Sequence, residues 1–90
     1  MDRYEVHWYV WVPPGVHDPA EAQGIFGFNP GCTFLFNRDQ RRWESDPDLV
    51  QELLGEGSPK MRVDRETAEH VAARFGTALP DLSNGYPPRA

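Results

Sequence analysis

The chain has 90 residues, 39% of them hydrophobic, and a formal net charge of −5 at pH 7. Fewer than about 100 residues rarely bury enough surface for two cores, so we expect one domain. The negative charge argues against a general nucleic-acid binder, because phosphate binding needs a cationic surface. No apolar run approaches the roughly 18 to 20 residues of a membrane span, which predicts a soluble protein without a membrane partner.

The only cysteine and the first residues bear on the compartment. Cys32 has no second cysteine with which to form an internal disulfide. The N-terminus leads into a predicted strand without the basic segment and apolar core of a signal peptide. A reducing cytoplasm is therefore the expected location. We interpret Cys32 as an inert buried thiol, because the sequence shows no base beside it to favour the thiolate.

The stretch YEVHWYVWV, residues 4–12, is the most informative in the chain. Its period of two predicts a strand with two different faces. The strongly apolar face carries Tyr4, Val6, Trp8, Val10 and Val12. The other face carries Glu5, His7, Tyr9 and Trp11. Because large aromatic patches are rarely left idle on a surface, we expect Tyr9 and Trp11 to be covered by the fold or by a partner.

Short elements follow the first strand. Asp18 before Pro19 predicts a helix of one or two turns, or a 3₁₀ turn, that ends at Gly24. The aromatic-rich runs at 25–28 and 32–36 flank a turn of Asn, Pro and Gly and predict a hairpin.

The second strand of this hairpin is predicted to lead to an edge of the sheet. Phe34 and Phe36 share one side of that strand and are expected to face the core. A turn at 37–40 then leads into a short strand at 41–44, whose arginines would protect an edge strand from pairing with other chains.

The second half of the chain predicts two helices and one strand. A helix is predicted from near Pro47 to Gly55, with an apolar stripe of leucine and valine against the sheet. Residues 60–63 predict a brief strand. Asp64 caps a predicted helix at 65–75, whose apolar residues recur at helical spacing.

These elements predict an α+β fold in two layers. Two principal helices are expected to pack on one face of a mainly antiparallel sheet of four or five strands. Residues 1–79 are expected to form the single domain. Residues 80–90 contain three prolines and no periodic pattern, which predicts an irregular C-terminal tail.

One sheet face offers a candidate for acid/base chemistry. His7 lies one step along the same face from both Glu5 and Tyr9, and histidine titrates near neutral pH. This row would suit a small α+β enzyme that transfers protons. A solvated sheet face explains the same residues without catalysis, so we assign no catalytic residue and lean against an enzyme.

The sequence predicts no metal site and no cofactor. The three histidines, His7, His17 and His70, lack the short spacing that metal motifs show. The glycines at positions 24, 27 and 31 do not match a dinucleotide-binding pattern, and no Gly-Lys-Ser/Thr follows them.

Acidic residues and surplus aromatic rings predict a protein interface. Five acids in thirteen residues, with no base among them, lie around the helix predicted from near Pro47: Glu44, Asp46, Asp48, Glu52 and Glu56. Tyr9, Trp11 and Trp43 are more large rings than a small two-layer core needs, and aromatic residues rimmed by charge make good interface anchors. Alternatively, the rings fill the second side of the sheet and the acids keep the helix soluble.

The nearest approach to a basic patch lies beside a turn. Arg38, Arg41 and Arg42 follow the predicted hairpin closely, and we interpret them as a solvated hairpin end.

Residues 65–85 resemble a helix-turn-helix segment. Ala72, Gly76 and Leu82 have the spacing of that motif's small residue, turn glycine and second-helix apolar residue. The resemblance would imply a transcription regulator. No basic residue lies between Thr77 and Pro88 to approach phosphate, which makes this the weakest alternative.

The leading hypothesis is a small acidic protein that acts by macromolecular binding, as an inhibitor, immunity-type factor or adaptor. Its acidic helix and aromatic sheet face would contact another protein with a basic surface. The aromatic face would also suit pairing of two copies as a homodimer.

Overall fold

The computed structural model describes residues 6–29, 32–49, 51, 59–82 and 87. The strands are β1 (His7–Trp11), β2 (Gly24–Asn29), β3 (Cys32–Asn37), β4 (Arg42–Ser45) and β5 (Lys60–Val63). A helix, α1, spans Arg65–Arg74. The strands form one antiparallel sheet in the order β4-β3-β2-β1-β5, so β4 and β5 are its edges. The predicted α+β fold with a mainly antiparallel sheet is confirmed.

The prediction of a second principal helix is not confirmed. The predicted element begins as a 3₁₀ turn at Pro47–Leu49. Residue 50 and residues 52–58, which carry most of that prediction, lie outside the described residues. Within the part of the chain that the structure describes, α1 is the one principal helix, and no helix has the length and apolar character to cross a membrane.

The segment after β1 forms a 3₁₀ turn at Pro19–Glu21 and not an α-helix. Asp18 caps the turn, since its carboxylate accepts a hydrogen bond from the Ala20 backbone N–H at 2.9 Å. Ala22 is buried while Ala20 is exposed. A longer helix would therefore bury little more apolar surface than this turn does.

The hydrophobic core lies between the sheet and α1, and we call this side of the sheet the helix face. Its buried side chains are Trp8, Val10, Val12, Ala22, Ile25, Phe34, Phe36, Ala68, Val71 and Leu82. Phe34 and Phe36 are thus on the core face, as predicted. Leu82, from the predicted tail, also belongs to this core.

Both ends of α1 are fixed by local interactions. At the start, the Asp64 carboxylate accepts a hydrogen bond from the Thr67 backbone N–H at 2.8 Å. Beyond the end, Gly76 has a φ of +80°, which favours glycine over residues with a side chain. On the exposed side of the helix, Arg65 and Glu69 lie one turn apart and form an ion pair at 3.1 Å. These features limit α1 to the residues that the sequence pattern predicts, within one position.

The arginines of the β3–β4 turn are engaged within the fold. The Arg38 guanidinium lies 4.9 Å from the centre of the Phe75 ring and donates to the Gln23 carbonyl at 2.9 Å. Arg42 pairs with Glu44 at 2.8 Å. Arg38 and Arg42 therefore already have partners in the protein, although the sequence suggested a solvated hairpin end.

A glycine makes room for two aromatic rings on the helix face. In the sheet, Gly27 lies between Trp8 and Phe34, whose rings meet edge to face with 5.7 Å between centroids. A Cβ at Gly27 would lie 2.8 Å from Phe34 Cε2 and 2.9 Å from Trp8 Cζ3. Both distances are too short for carbon atoms in contact, so any side chain here would push the rings apart.

Gly27→Ala is therefore expected to lower the free energy of unfolding by about 1–3 kcal/mol, the usual cost of overpacking. Urea unfolding followed by circular dichroism measures this change. In a Phe34→Leu background the added methyl group has more room, so the same substitution should cost less. An unchanged free energy for Gly27→Ala in the otherwise native protein would contradict this packing.

Candidate functional site

We call the side of the sheet opposite α1 the open face. Register between the strands arranges its side chains in rows. The middle row crosses all five strands and consists of Arg62, Tyr9, Phe26, Leu35 and Glu44. A cation lies at one end of this row, an anion at the other, and three apolar side chains lie between them.

The centre of the open face is a stack of aromatic rings. Phe26 is fully buried, although it lies opposite the helix and outside the helix-face core. The Tyr9 ring stacks on it with 5.2 Å between centroids, and the Trp11 ring lies at 4.4 Å. Tyr9 and Trp11 are themselves half-buried. Their rings therefore cover a buried phenylalanine and still present part of their own surface.

Trp11 forms one wall of a groove at the end of the open face. The groove has a volume of about 600 Å³ and is also lined by Leu35, Asn37 and Asp39. A Cβ at Gly24, the residue opposite Trp11 in the sheet, would lie 2.7 Å from Trp11 Cε3. The indole thus lies against Gly24 and, tilted by 34°, against the Phe26 ring, and these contacts limit its rotamers before any partner binds.

His7 lies at the other end of the open face. Its ring stacks on Phe28 with 6.4 Å between centroids, and Arg62 Nη2 lies 2.5 Å from His7 Nδ1. Because a guanidinium can only donate, His7 Nδ1 is the acceptor in this contact. A groove of about 430 Å³ reaches His7 and is lined by Arg62, Asp64 and Arg65.

The two groups predicted to accompany His7 are not both beside it in this groove. Glu5 lies outside the described residues. Tyr9 is on the same face of β1 but does not line the groove, and its ring is stacked on Phe26. The side chain that does contact His7 is Arg62, which the sequence analysis did not select.

Glu44 is buried at the edge of the open face. Its carboxylate accepts hydrogen bonds from Arg42 Nε at 2.8 Å and from Asn37 Nδ2 at 3.2 Å. These bonds, with that from Arg42 the larger cause, hold the pKa of the Glu44 carboxyl below its usual value of 4.5. The charge of Glu44 is thus satisfied within the chain and is not presented to a partner.

The other acids predicted for the interface have different surroundings. Asp46 Oδ1 accepts from the Asp48 backbone N–H at 3.0 Å, and Asp46 is half-buried while Asp48 is exposed. Glu52 and Glu56 lie outside the described residues. Of these four acids, only Asp48 is seen as a free surface charge, so the predicted acidic surface remains a prediction.

Trp43 lies on the helix face and not with Tyr9 and Trp11. Its ring is 5.9 Å from that of Trp8, and its Nε1 donates to the Ala78 carbonyl at 2.9 Å. The three surplus rings of the sequence analysis are therefore divided between the two faces. Trp43 closes the core at β4, while the other two form the open-face stack.

The structure places two cations beside the open-face aromatics that the sequence analysis missed. Lys60 lies opposite Trp11, and Arg62 lies opposite Tyr9, because β5 pairs with β1. The alternation in Lys60–Val63 indicates that both cations share one face. Their neighbours could not be read from the sequence, since β1 and β5 are far apart in the chain.

Among the described residues, the remaining reactive side chains do not come together as a catalytic or metal-binding group. Cys32 is half-buried and not buried as predicted, and its Sγ lies 3.4 Å from the Thr33 carbonyl and from Ser45 Oγ. Within the described residues, no three histidine, cysteine or acidic side chains are placed to hold a metal ion.

Comparisons with protein-family models, with curated proteins and with solved structures found no match to this chain. Only its own residues therefore bear on its function.

The lowered pKa of Glu44 predicts a pH dependence of stability. Because the folded-state value lies below the unfolded-state value, the stabilisation is complete above about pH 4.5 and is lost as pH falls through the folded-state pKa. Urea unfolding from about pH 6 down to about pH 2.5 should show Glu44→Gln losing less stability over this range than the native chain.

Asp64→Asn is the matched control. Hydrogen bonds from Thr67 lower the pKa of the Asp64 carboxyl as well, so this carboxyl contributes its own share in the same direction. Each variant should make the free energy of unfolding depend less steeply on pH, and the double variant should reduce this dependence further. A Glu44→Gln profile parallel to that of the native chain would contradict the assignment.

Proposed function

We propose that this chain is a small binding protein that acts without catalysis, and that the open face contacts another protein through Tyr9 and Trp11. The observation that carries the proposal is the fixed position of Trp11. Its ring is held by Phe26 and Gly24, forms a groove wall and is only half-buried. Rigid, partly exposed tryptophans are common among the residues that dominate binding energy at interfaces.

The restricted position of the Trp11 ring favours a role in binding over a purely structural role. A flexible surface side chain loses about 0.5–1.5 kcal/mol of conformational entropy when a partner fixes it. Contacts with Gly24 and Phe26 restrict the Trp11 ring in the free protein, so a partner would remove less of this freedom. The adjacent groove supplies the exposed carboxylate of Asp39 as a polar group that would orient a partner side chain inserted beside the indole.

The charges of the described residues change the expected partner. The sequence favours a basic partner surface, because acids outnumber bases in the chain. On the open face, however, Glu44 is engaged by Arg42, whereas Lys60 and Arg62 lie beside the aromatic stack without an ion pair among the described residues. Charge complementarity therefore favours an acidic partner next to β5.

A second candidate function, acid/base catalysis at His7, is favoured by the groove that reaches this side chain. Under that alternative, His7→Ala would abolish turnover of a substrate that the groove admits. Under the binding proposal, the same variant should leave the affinity for a protein partner within about twofold, because His7 lies at the end of the face away from Trp11. Isothermal titration of the purified partner distinguishes the two.

The proposal predicts that Trp11→Ala weakens partner binding by about tenfold or more, the usual effect of removing an interface hot spot. A partner isolated from native lysate with the unaltered chain is purified and titrated with each variant by calorimetry. Trp11→Phe keeps a ring on Phe26 and should lose less affinity than Trp11→Ala. Circular dichroism checks that each variant is folded.

Ala73→Gln is the control, because Ala73 is exposed on α1, on the other side of the sheet. It should bind as the native chain does. Equal affinity of the native chain and Trp11→Ala would refute the proposal. Sedimentation equilibrium of the chain alone tests the homodimer, since a dimer that buries the open face would dissociate in Trp11→Ala.

A further inference from the structure

We propose that the free edge of β5 binds an extended acidic segment of the partner protein as a sixth strand. This inference deepens the proposed function and rests on it. It begins from the sheet order, in which β5 pairs with β1 on one side and, among the described residues, has no strand on the other. An edge strand has a row of backbone groups that can pair with an added strand.

The register shows which backbone groups of β5 are available. Val12 N donates to the Pro59 carbonyl at 3.0 Å, so Val12 and Pro59 form a hydrogen-bonded pair. Such pairs alternate along an antiparallel ladder, and Met61 and Val63 therefore also point their backbone groups toward β1. The backbone N–H and C=O groups of Lys60 and Arg62 consequently point away from the sheet.

The side chains of β5 specify the chemistry of the added strand. Lys60 and Arg62 lie on the open face, so residues opposite them should be acidic. Met61 and Val63 lie on the helix face and pack against the core, so residues opposite these should be apolar. The segment that fits is an extended one in which acidic and apolar residues alternate.

A second copy of this chain fits the same edge poorly. Antiparallel pairing of two β5 strands about a two-fold axis, with their faces kept aligned, would place Lys60 and Arg62 opposite the same two cations. Like charges directly opposite each other destabilise strand pairing. A single-stranded nucleic acid would satisfy the cations but not the outward backbone groups, and the chain's net charge of −5 opposes its approach.

Amide hydrogen exchange in the native chain tests the proposal directly. In the free protein the amides of Met61 and Val63 should exchange slowly, while those of Lys60 and Arg62 should exchange quickly. A capped peptide containing Glu-Val-Glu-Val, added at millimolar concentration, should slow exchange at residues 60 and 62 by about tenfold or more and leave 61 and 63 unchanged. Nuclear magnetic resonance resolves these four amides.

Control peptides separate pairing from simple charge attraction. A Glu-Glu-Val-Val peptide has the same charge without the alternation, and a Lys-Val-Lys-Val peptide reverses the charge. Neither should protect the two amides. Protection by Glu-Glu-Val-Val equal to that by Glu-Val-Glu-Val would overturn the strand register, and failure of Glu-Val-Glu-Val to protect residues 60 and 62 would overturn the proposal.

Two substitutions at one position isolate the backbone contribution. Arg62→Ala removes the charge but keeps the outward N–H, whereas Arg62→Pro removes both and leaves the ladder to β1 intact. Arg62→Pro should bind the peptide about fivefold more weakly than Arg62→Ala. Equal affinities would show that the outward N–H of residue 62 does not bond to the peptide, and would overturn the proposal. If Arg62→Pro does not fold, the amide exchange of the native chain decides the question alone.

Other occupants of the edge give distinct results. Slow amide exchange at residues 60 and 62 in the free monomer would mean that this chain covers its own edge. Amide exchange that slows as the protein concentration rises would mean that a second copy covers it. Either result would overturn the proposal. So would stronger protection by a single-stranded oligonucleotide than by the peptide. Trp11-dependent binding of the isolated partner is measured separately, so the edge can fail while the proposed function stands.

Discussion

Strand β1 lies inside the sheet, between β2 and β5, and its alternating side chains determine much of what each face of the protein presents. Its alternating side chains direct Trp8 and Val10 toward α1 and leave His7, Tyr9 and Trp11 on the open face. A shift of one residue in register would exchange the two sets and move the core side chains to the surface. The same pairing that builds the core therefore also builds the candidate contact surface.

On each face of the sheet, a tryptophan of β1 lies over a glycine of β2. Gly27 lies opposite Trp8 and Gly24 lies opposite Trp11, and a Cβ at either position would come within 3 Å of a tryptophan ring. Each indole thus covers a glycine in the neighbouring strand. On the helix face the core buries Trp8, whereas on the open face Trp11 remains half-buried and keeps part of its ring surface exposed.

Local patterns in the sequence predicted the strands and α1 but not the 3₁₀ turn at Pro47–Leu49, and they could not show which distant strands pair. Alternation predicted β1, and the cap at Asp64 with the glycine at position 76 predicted α1, because these signals lie within a few residues. The division of Trp11 and Trp43 between opposite faces depends on the register through β2, β3 and β4. The contact of Arg62 with His7 depends on β5 returning beside β1.

The net charge of the chain differs in sign from the charges that lie beside the aromatic stack. The net charge of −5 led to the expectation of a basic partner, yet Glu44 is neutralised by Arg42 inside the fold, and Lys60 and Arg62 lie beside the aromatic stack. An acidic segment would meet repulsion from the molecule as a whole and attraction at the β5 edge. Salt at about 0.1 M screens charges more than about 10 Å apart, so it weakens the distant repulsion more than the close contacts. Specific recognition at this edge is therefore compatible with an acidic protein, because the deciding interactions act at the distance of paired strands.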